Sequence, residues 1–279
     1  MVELLIVYLT DSYVYIHKSA VRAMQQLKAN NEEEVIRIAL SLKLLDEHYE
    51  KDPYFREEIL RALVHITWKT DLLLQRITAP IMIKQCQIPE FYVSQNALEE
   101  FERLLPRLPE SFKIDFAREA ISFLGRYERE RFNNEAFTDR YRFLLHLFEL
   151  PKEAINSNLS ALREAALARA KQDPWDALRL VQLLSYFELH AEAAVLADEI
   201  EAAQEKVKRN EAAIQESKIL GQTSRAEALI QSSQINEAIK CLEQASKLEA
   251  ERHAHHTIGD SRDFINSLTV ANEIADDFE

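Results

Sequence analysis

Residues 35–45 read VIRIALSLKLL, and Val35, Ile38, Ala39, Leu42 and Leu45 fall along them at spacings of three and four. At about 100° per residue those positions share one side of an α-helix, whereas a strand would alternate. The stripe recurs at Ile59, Leu60, Leu63 and Ile66, and again at Ile114, Ala117, Ile121 and Leu124. Alternating runs of strand type are almost absent, and the one β-flavoured patch, residues 13–16, runs straight into a helical pattern. Only three glycines, Gly125, Gly221 and Gly259, occur in 279 residues. That is too few for the tight turns of a β-rich fold, and it excludes a Gly-rich phosphate loop. The predicted fold class is all-α, with about twelve helices of roughly 12–25 residues whose short connectors make successive helices antiparallel.

The breaks between stripes carry the matching chemistry. Asp11-Ser12 offers an N-cap to the segment that follows, and Asp52-Pro53 sets a cap before a proline at the first helical position. Asp173-Pro174 repeats that start, and Glu32 to Glu34 after Asn31 suit the positive end of a helix dipole. Pro89, Pro109, Pro151 and Pro174 mark junctions, while Asn133-Asn134 and the stretch 156–158 read as polar turns. Pro80 lies inside an apolar stretch and predicts a kink or a split there.

Two kinds of internal repeat follow. Arg22 lies in SAVRAMQQL and Arg61 in EILRALVHI, 39 residues apart, with echoes at Arg103 and Arg142 after offsets of 42 and 39. A period near 40 is that of two-helix solenoid repeats. Residues 11–27, with the core Ala20-Val21-Arg22-Ala23-Met24, resemble the second helix of a HEAT repeat. Residues 226–249 resemble a TPR unit, with Ala226 and Leu229 on its first helix and Ala238, Leu242 and Ala245 on its second. The family's early aromatic and closing proline are replaced by Gln222 and Ala250. An earlier copy around Leu184, Ala193 and Ala197 is offset by 45 residues. These resemblances imply an α-solenoid, an α-α superhelix of stacked antiparallel helical hairpins, HEAT-like over residues 1–150 and TPR-like over 151–279.

Between the two copies, residues 191–220 contain neither proline nor glycine and read as one long helix. Leu196, Ile200, Ala203, Val207, Asn210 and Ile214 form a seam with 4-3-4-3-4 spacing. It is expected to pack within the chain against the helix holding Ile235, Ile239 and Leu242. Residues 2–9 are apolar almost from the start, where a first repeat would present a polar cap. The chain thus reads as a piece of a longer solenoid.

Charge narrows the function classes. The net charge is −13, which opposes nucleic acids and anionic membrane surfaces. From Leu189 onward there are 9 Lys and Arg against 18 Asp and Glu. Basic protein partners are therefore expected at the acidic C-terminal third. Cys86 and Cys241 form neither a disulfide framework nor a CxxC pair, and no stretch approaches the ~18 apolar residues of a membrane span. A cytoplasmic location is expected.

No catalytic, cofactor-binding or metal-binding set is predicted. His253, His255 and His256 cluster near Glu249 and Glu251 but lack the HExxH spacing of zinc enzymes, and they suit a helix C-terminus. The most basic stretch holds Arg126, Arg129 and Arg131 beside Tyr127 and Phe132, candidates for gripping a phosphate or an acidic peptide. Interleaved Glu128 and Glu130 offset them locally. The expected function is a non-catalytic protein-protein interaction scaffold. The alternatives are the sensor or regulatory arm of a larger signalling protein, such as an NTPase, and an all-α enzyme.

Overall fold

The computed structural model describes residues 2–9, 13–27, 31–126, 142–207 and 211–255. Helices α1 (Val2–Leu9) and α2 (Val14–Met24) precede α3 (Glu32–His48) and α4 (Pro53–Thr67), which carry the first two stripes. Two of the expected starts follow the sequence chemistry, whereas Asp173, ahead of Pro174 at the head of the later helix Pro174–Tyr186, makes no side-chain cap bond. Asn31 Oδ1 accepts the Glu34 N–H at 2.9 Å, and Asp52 Oδ1 accepts the Phe55 N–H at 3.0 Å. The expected cap at Asp11-Ser12 lies outside the described residues.

Pro80 has the expected consequence. A single turn α5 (Asp71–Leu73) widens into a π-helical turn, Leu74–Thr78, before α6 (Ala79–Cys86). Proline lacks an N–H and its ring strikes the carbonyl four residues back, so the wider turn just upstream absorbs the mismatch. Helices α7 (Phe91–Leu104) and α8 (Glu110–Arg126) follow, separated by a 3-10 turn and Pro109. Several helices are shorter than the expected 12 residues, α6 having eight and α10 (Lys152–Asn156) only five. The remaining helices are α9 (142–147), α11 (Leu159–Ala170), α12 (Pro174–Tyr186), α13 (His190–Val207), α14 (Glu211–Gln231) and α15 (Ile235–His255). No strand occurs among the described residues, and the fold is all-α.

The chain divides into two compact units: Met1–Phe123 with Glu153–Asn158, and Leu124–Lys152 with Leu159–Glu279. In the first, α2, α3, α6 and α7 all pack on α4, and α1 packs on α2 and α3. Ile38, Ala39 and Leu42 of α3 and Ile59, Leu60 and Leu63 of α4 are buried between them. The unit also encloses a polar knot. Arg56 donates through Nε and Nη2 to the two carboxylate oxygens of Asp46 at 2.9 and 3.0 Å. Gln85 Nε2 donates to Asp46 Oδ1 at 3.1 Å and to the Arg56 carbonyl at 2.9 Å. Asn158 anchors the 156–158 turn by donating to the carbonyls of Ile114 and Ala154 at 2.9 and 2.7 Å.

In the second unit α12 lies against α11, α13 and α14, and α14 against α13 and α15. The single helix expected over 191–220 is instead the pair α13 and α14, which fold back on each other. Arg225 of α14 pairs with Asp198 of α13, while Lys218, two turns earlier on α14, pairs with Glu205, two turns later on α13, at 3.6 Å, so the two run antiparallel. The cause is close packing of small residues. Ala213, Ser217 and Gly221 recur every four residues on α14, and all are buried, as are Ala194 and Ala197 on α13. The expected partner of the seam is corrected too: Leu196 and Ile200 belong to the helix that packs on α14, and it is α14 that meets α15. The side chain of Val207 lies outside the described residues.

The 45-residue offset has a structural counterpart. After α12, Glu188 takes a left-handed conformation (φ 59°), and after α14 so does Ser233 (φ 61°). At the first turn, the N–H groups of Glu188 and Leu189 bond to the carbonyls of Ser185 and Leu184. At the second, those of Ser233 and Gln234 bond to Ile230 and Leu229. This is the Schellman helix ending at both places. The hairpin it introduces at α15 closes on Ala226, Ala238 and Leu242, with Leu229, Ile230 and Cys241 packed alongside.

A shorter interval appears in the ion pairs. Among the described residues, Arg22–Glu58, Arg107–Asp71, Lys152–Glu188, Arg163–Glu199 and Arg252–Glu216 each join side chains 36 residues apart. Two lie in the first unit and three in the second.

Gly125, near the end of α8, marks one tight contact. A Cβ there would sit 2.9 Å from the Ala165 Cα of α11, a backbone atom that cannot swing aside. Gly125→Ala is expected to cost about 1–3 kcal/mol, the range of core overpacking, read as a lower urea midpoint at unchanged m-value. An unchanged midpoint would show that the two helices part freely.

Candidate partner-binding site

Arg126 stands exposed at the end of α8, whereas Arg129 and Arg131 lie outside the described residues. Arg142 places its guanidinium 5.6 Å from the Phe143 ring. The side chains of His253 and His255, and His256 altogether, are likewise outside. Nearby, Arg252 pairs with Glu249 at 2.5 Å and also with Glu216. Burial pushes the Glu216 carboxyl up, and Arg252 pulls it back. Among the described residues no three His, Cys, Asp or Glu side chains gather as metal ligands, and no helix is long and apolar enough to cross a membrane.

Among the described residues, two concave surfaces bring chemistry-bearing side chains together. The first, of about 570 Å³, lies in the first unit beside the ends of α4 and α7. It brings together Arg61 and Arg103, two of the repeating arginines, with His65, Trp68 and Lys69. Trp68 is flanked by the guanidinium groups of Arg103 and Arg107, 5.0 and 4.9 Å from its ring. Each arginine already holds a carboxylate: Arg61 with Glu57 at 2.5 Å, Arg103 with Glu100 at 2.6 Å and Arg107 with Asp71 at 2.5 Å. Burial raises the Glu100 carboxyl, with Arg103 and Arg61 acting the other way. His65 bonds to the Leu27 carbonyl at 3.0 Å. An anionic ligand would have to displace these carboxylates, so the cleft is largely self-satisfied.

The second is a groove of about 390 Å³ in the second unit, between α11 and α13 with Leu184 of α12 at its base. Leu162, Leu184 and Leu196 face the core, while Val195, the next position round α13, is 55% exposed. Leu159 completes the apolar lining. On the rim Arg163 Nε donates to Glu199 at 2.6 Å, and Glu192 is exposed beside them. Further along α13, outside the groove, Asp198 pairs with Arg225, and Glu201 and Glu205 pair with Lys218. An apolar floor open to water, with the exposed Glu192 on its rim and Glu199 already held by Arg163, fits an apolar side chain with a basic neighbour that reaches Glu192.

Sequence reading did not single out Val195. The residue counts as one more apolar position in an alanine-rich helix, and its exposure depends on where α11 and α12 stop covering α13. A signal was present in the sequence: Ala193, Ala194, Leu196 and Ala197 fill the buried arc, leaving Val195 outside it.

No protein-family model matches the chain, and neither the curated proteins nor the solved structures include a match to it.

Proposed function

We propose that the chain is a non-catalytic protein-interaction scaffold of the α-solenoid type, and that the α11–α13 groove takes an apolar segment of a partner flanked by Lys or Arg. Support for the solenoid comes from the ion pairs 36 residues apart in both units and from the matching helix endings 45 residues apart. On this reading residues 1–150 are HEAT-like, residues 151–279 are TPR-like, and the scaffold works in the cytoplasm.

The observation that carries the binding role is the exposed Val195 on an apolar floor beside Glu192 and Glu199. The charge balance agrees: an acidic C-terminal third draws basic segments, and it disfavours nucleic acid and anionic membranes. The test is peptide selection from a random display library. Enriched peptides are expected to carry Lys or Arg around a bulky apolar residue, and their affinity should fall as salt rises. Val195→Arg, at an exposed position, should leave the fold intact and weaken them about tenfold or more, as loss of a central contact does. Selection of acidic peptides, or binding indifferent to Val195→Arg, would reject the groove.

A further inference from the structure

Helix α3 buries one side and leaves an apolar ridge on the other. Ile36, Leu40 and Leu44 are 37%, 47% and 66% exposed and run at a spacing of four, the row of side chains that interdigitates when two helices pack. Leu40 and Leu44 straddle the direction opposite the fully buried Leu42. Helix α1 packs beside α3 and adds Leu4, Val7 and Tyr8, all exposed. Arg37 ties the two helices together by donating from Nη2 to Glu3 Oε2 at 2.7 Å, and its other terminal nitrogen holds the second oxygen.

The charges along the ridge have a particular order. Glu33 and Arg37 come before the exposed leucines, and Glu47 after them. On an α-helix Arg37 and Glu47 sit symmetrically about the ridge centre, as Leu40 and Leu44 do. If a second α3 is laid antiparallel on the first, with a two-fold axis at Leu42, Leu40 meets Leu44 of the copy. Arg37 then meets Glu47, and each pairing occurs twice because an isologous contact repeats itself. A symmetric register about Leu40 would instead put Arg37 against Lys43 and Glu33 against Glu47, like against like.

We propose that the α1–α3 face is a self-association surface, and that two copies of the chain pair through antiparallel α3 helices in the register that joins Arg37 to Glu47 and Leu40 to Leu44. Light scattering on the purified chain is expected to give twice its 32.4 kDa mass. Leu44→Asp should weaken the dimer by roughly 100-fold or more, as expected for a central apolar anchor. Because Leu44 is exposed, far-ultraviolet dichroism should stay unchanged, and so should the unfolding midpoint when both proteins are diluted until they are monomeric.

Arg37→Glu should weaken the dimer roughly fivefold, the size of two exposed ion pairs, and Glu47→Arg on top of it should restore the dimer. That rescue separates the cross-copy pair from mere loss of the Glu3 contact, which Glu47→Arg cannot mend. A wild-type chain of 32.4 kDa up to its solubility limit would overturn the proposal and leave the face to a different partner. A dimer unmoved by Leu44→Asp, or a charge swap without rescue, would equally overturn it.

Discussion

Replacing Asp46 with alanine is expected to cost about 3–5 kcal/mol of folding stability, the usual result of stripping one partner from a buried ion pair. Asp46 is 3% and Arg56 8% exposed, and the carboxylate receives two bonds from Arg56 and one from Gln85. With the carboxylate gone, a guanidinium stays buried with its main acceptor missing, and Gln85 loses one of its two acceptors. The carbonyl of Arg56 still holds the other Gln85 bond, so the loss centres on the charge. Urea unfolding followed by dichroism reads the effect as a lower midpoint. Substituting Asp46, Arg56 and Gln85 together with apolar residues of similar volume should lose far less, since no charge is then stranded. A single Asp46→Ala variant as stable as the wild type would mean that the pair is open to water.

Leu63→Ala is expected to cost about 2–5 kcal/mol. Leu63 is completely buried on α4, the helix on which α2, α3, α6 and α7 converge. Truncation removes the transfer energy of its methyl groups and leaves a cavity that four surrounding helices close only in part. The same unfolding experiment measures it. A loss under ~0.5 kcal/mol, the size of a surface effect, would put the α4 stripe in solvent.

Both residues bear on what the sequence made legible. Leu63 was readable because helix period and burial agree there: the positions 59, 60, 63 and 66 that share one arc all lie inside, although the neighbours packed round α4 also bury Ala62 and Val64 off that arc. Pro80 was readable because its missing N–H acts locally, whatever packs around it. Asp46 was not. Its partners stand 10 and 39 residues away, and a charge on a helix looks the same in sequence whether it faces water or a guanidinium. Arg169, 1% exposed and bonded to Gln172 and Asp176, has its partners only three and seven residues away, and escaped because such a pair reads as a surface pair whether or not it is covered.

The division of 191–220 into α13 and α14 shows a second limit. A helix that continues and a helix that folds back can carry the same apolar spacing, and no proline or glycine stands at the break. The small residues at 213, 217 and 221 were the informative signal, because an unbroken exposed helix has no need of a face that admits a neighbour so closely. The groove depends on the same tertiary facts. Its acidic setting was legible as composition, whereas the exposed Val195 required knowing which arc of α13 is covered.

Methyl-resolved NMR tests the central claim most directly. With Leu and Val methyl groups labelled, a Lys- or Arg-flanked apolar peptide from the selection is added to the full chain. The predicted result is saturable shifts at Val195, Leu196, Leu159 and Leu184, weakened by salt and absent in Val195→Arg. Shifts confined instead to Leu27, Val35 and Val64, which line the cleft beside Trp68, or no shifts with a peptide that still binds, would contradict it.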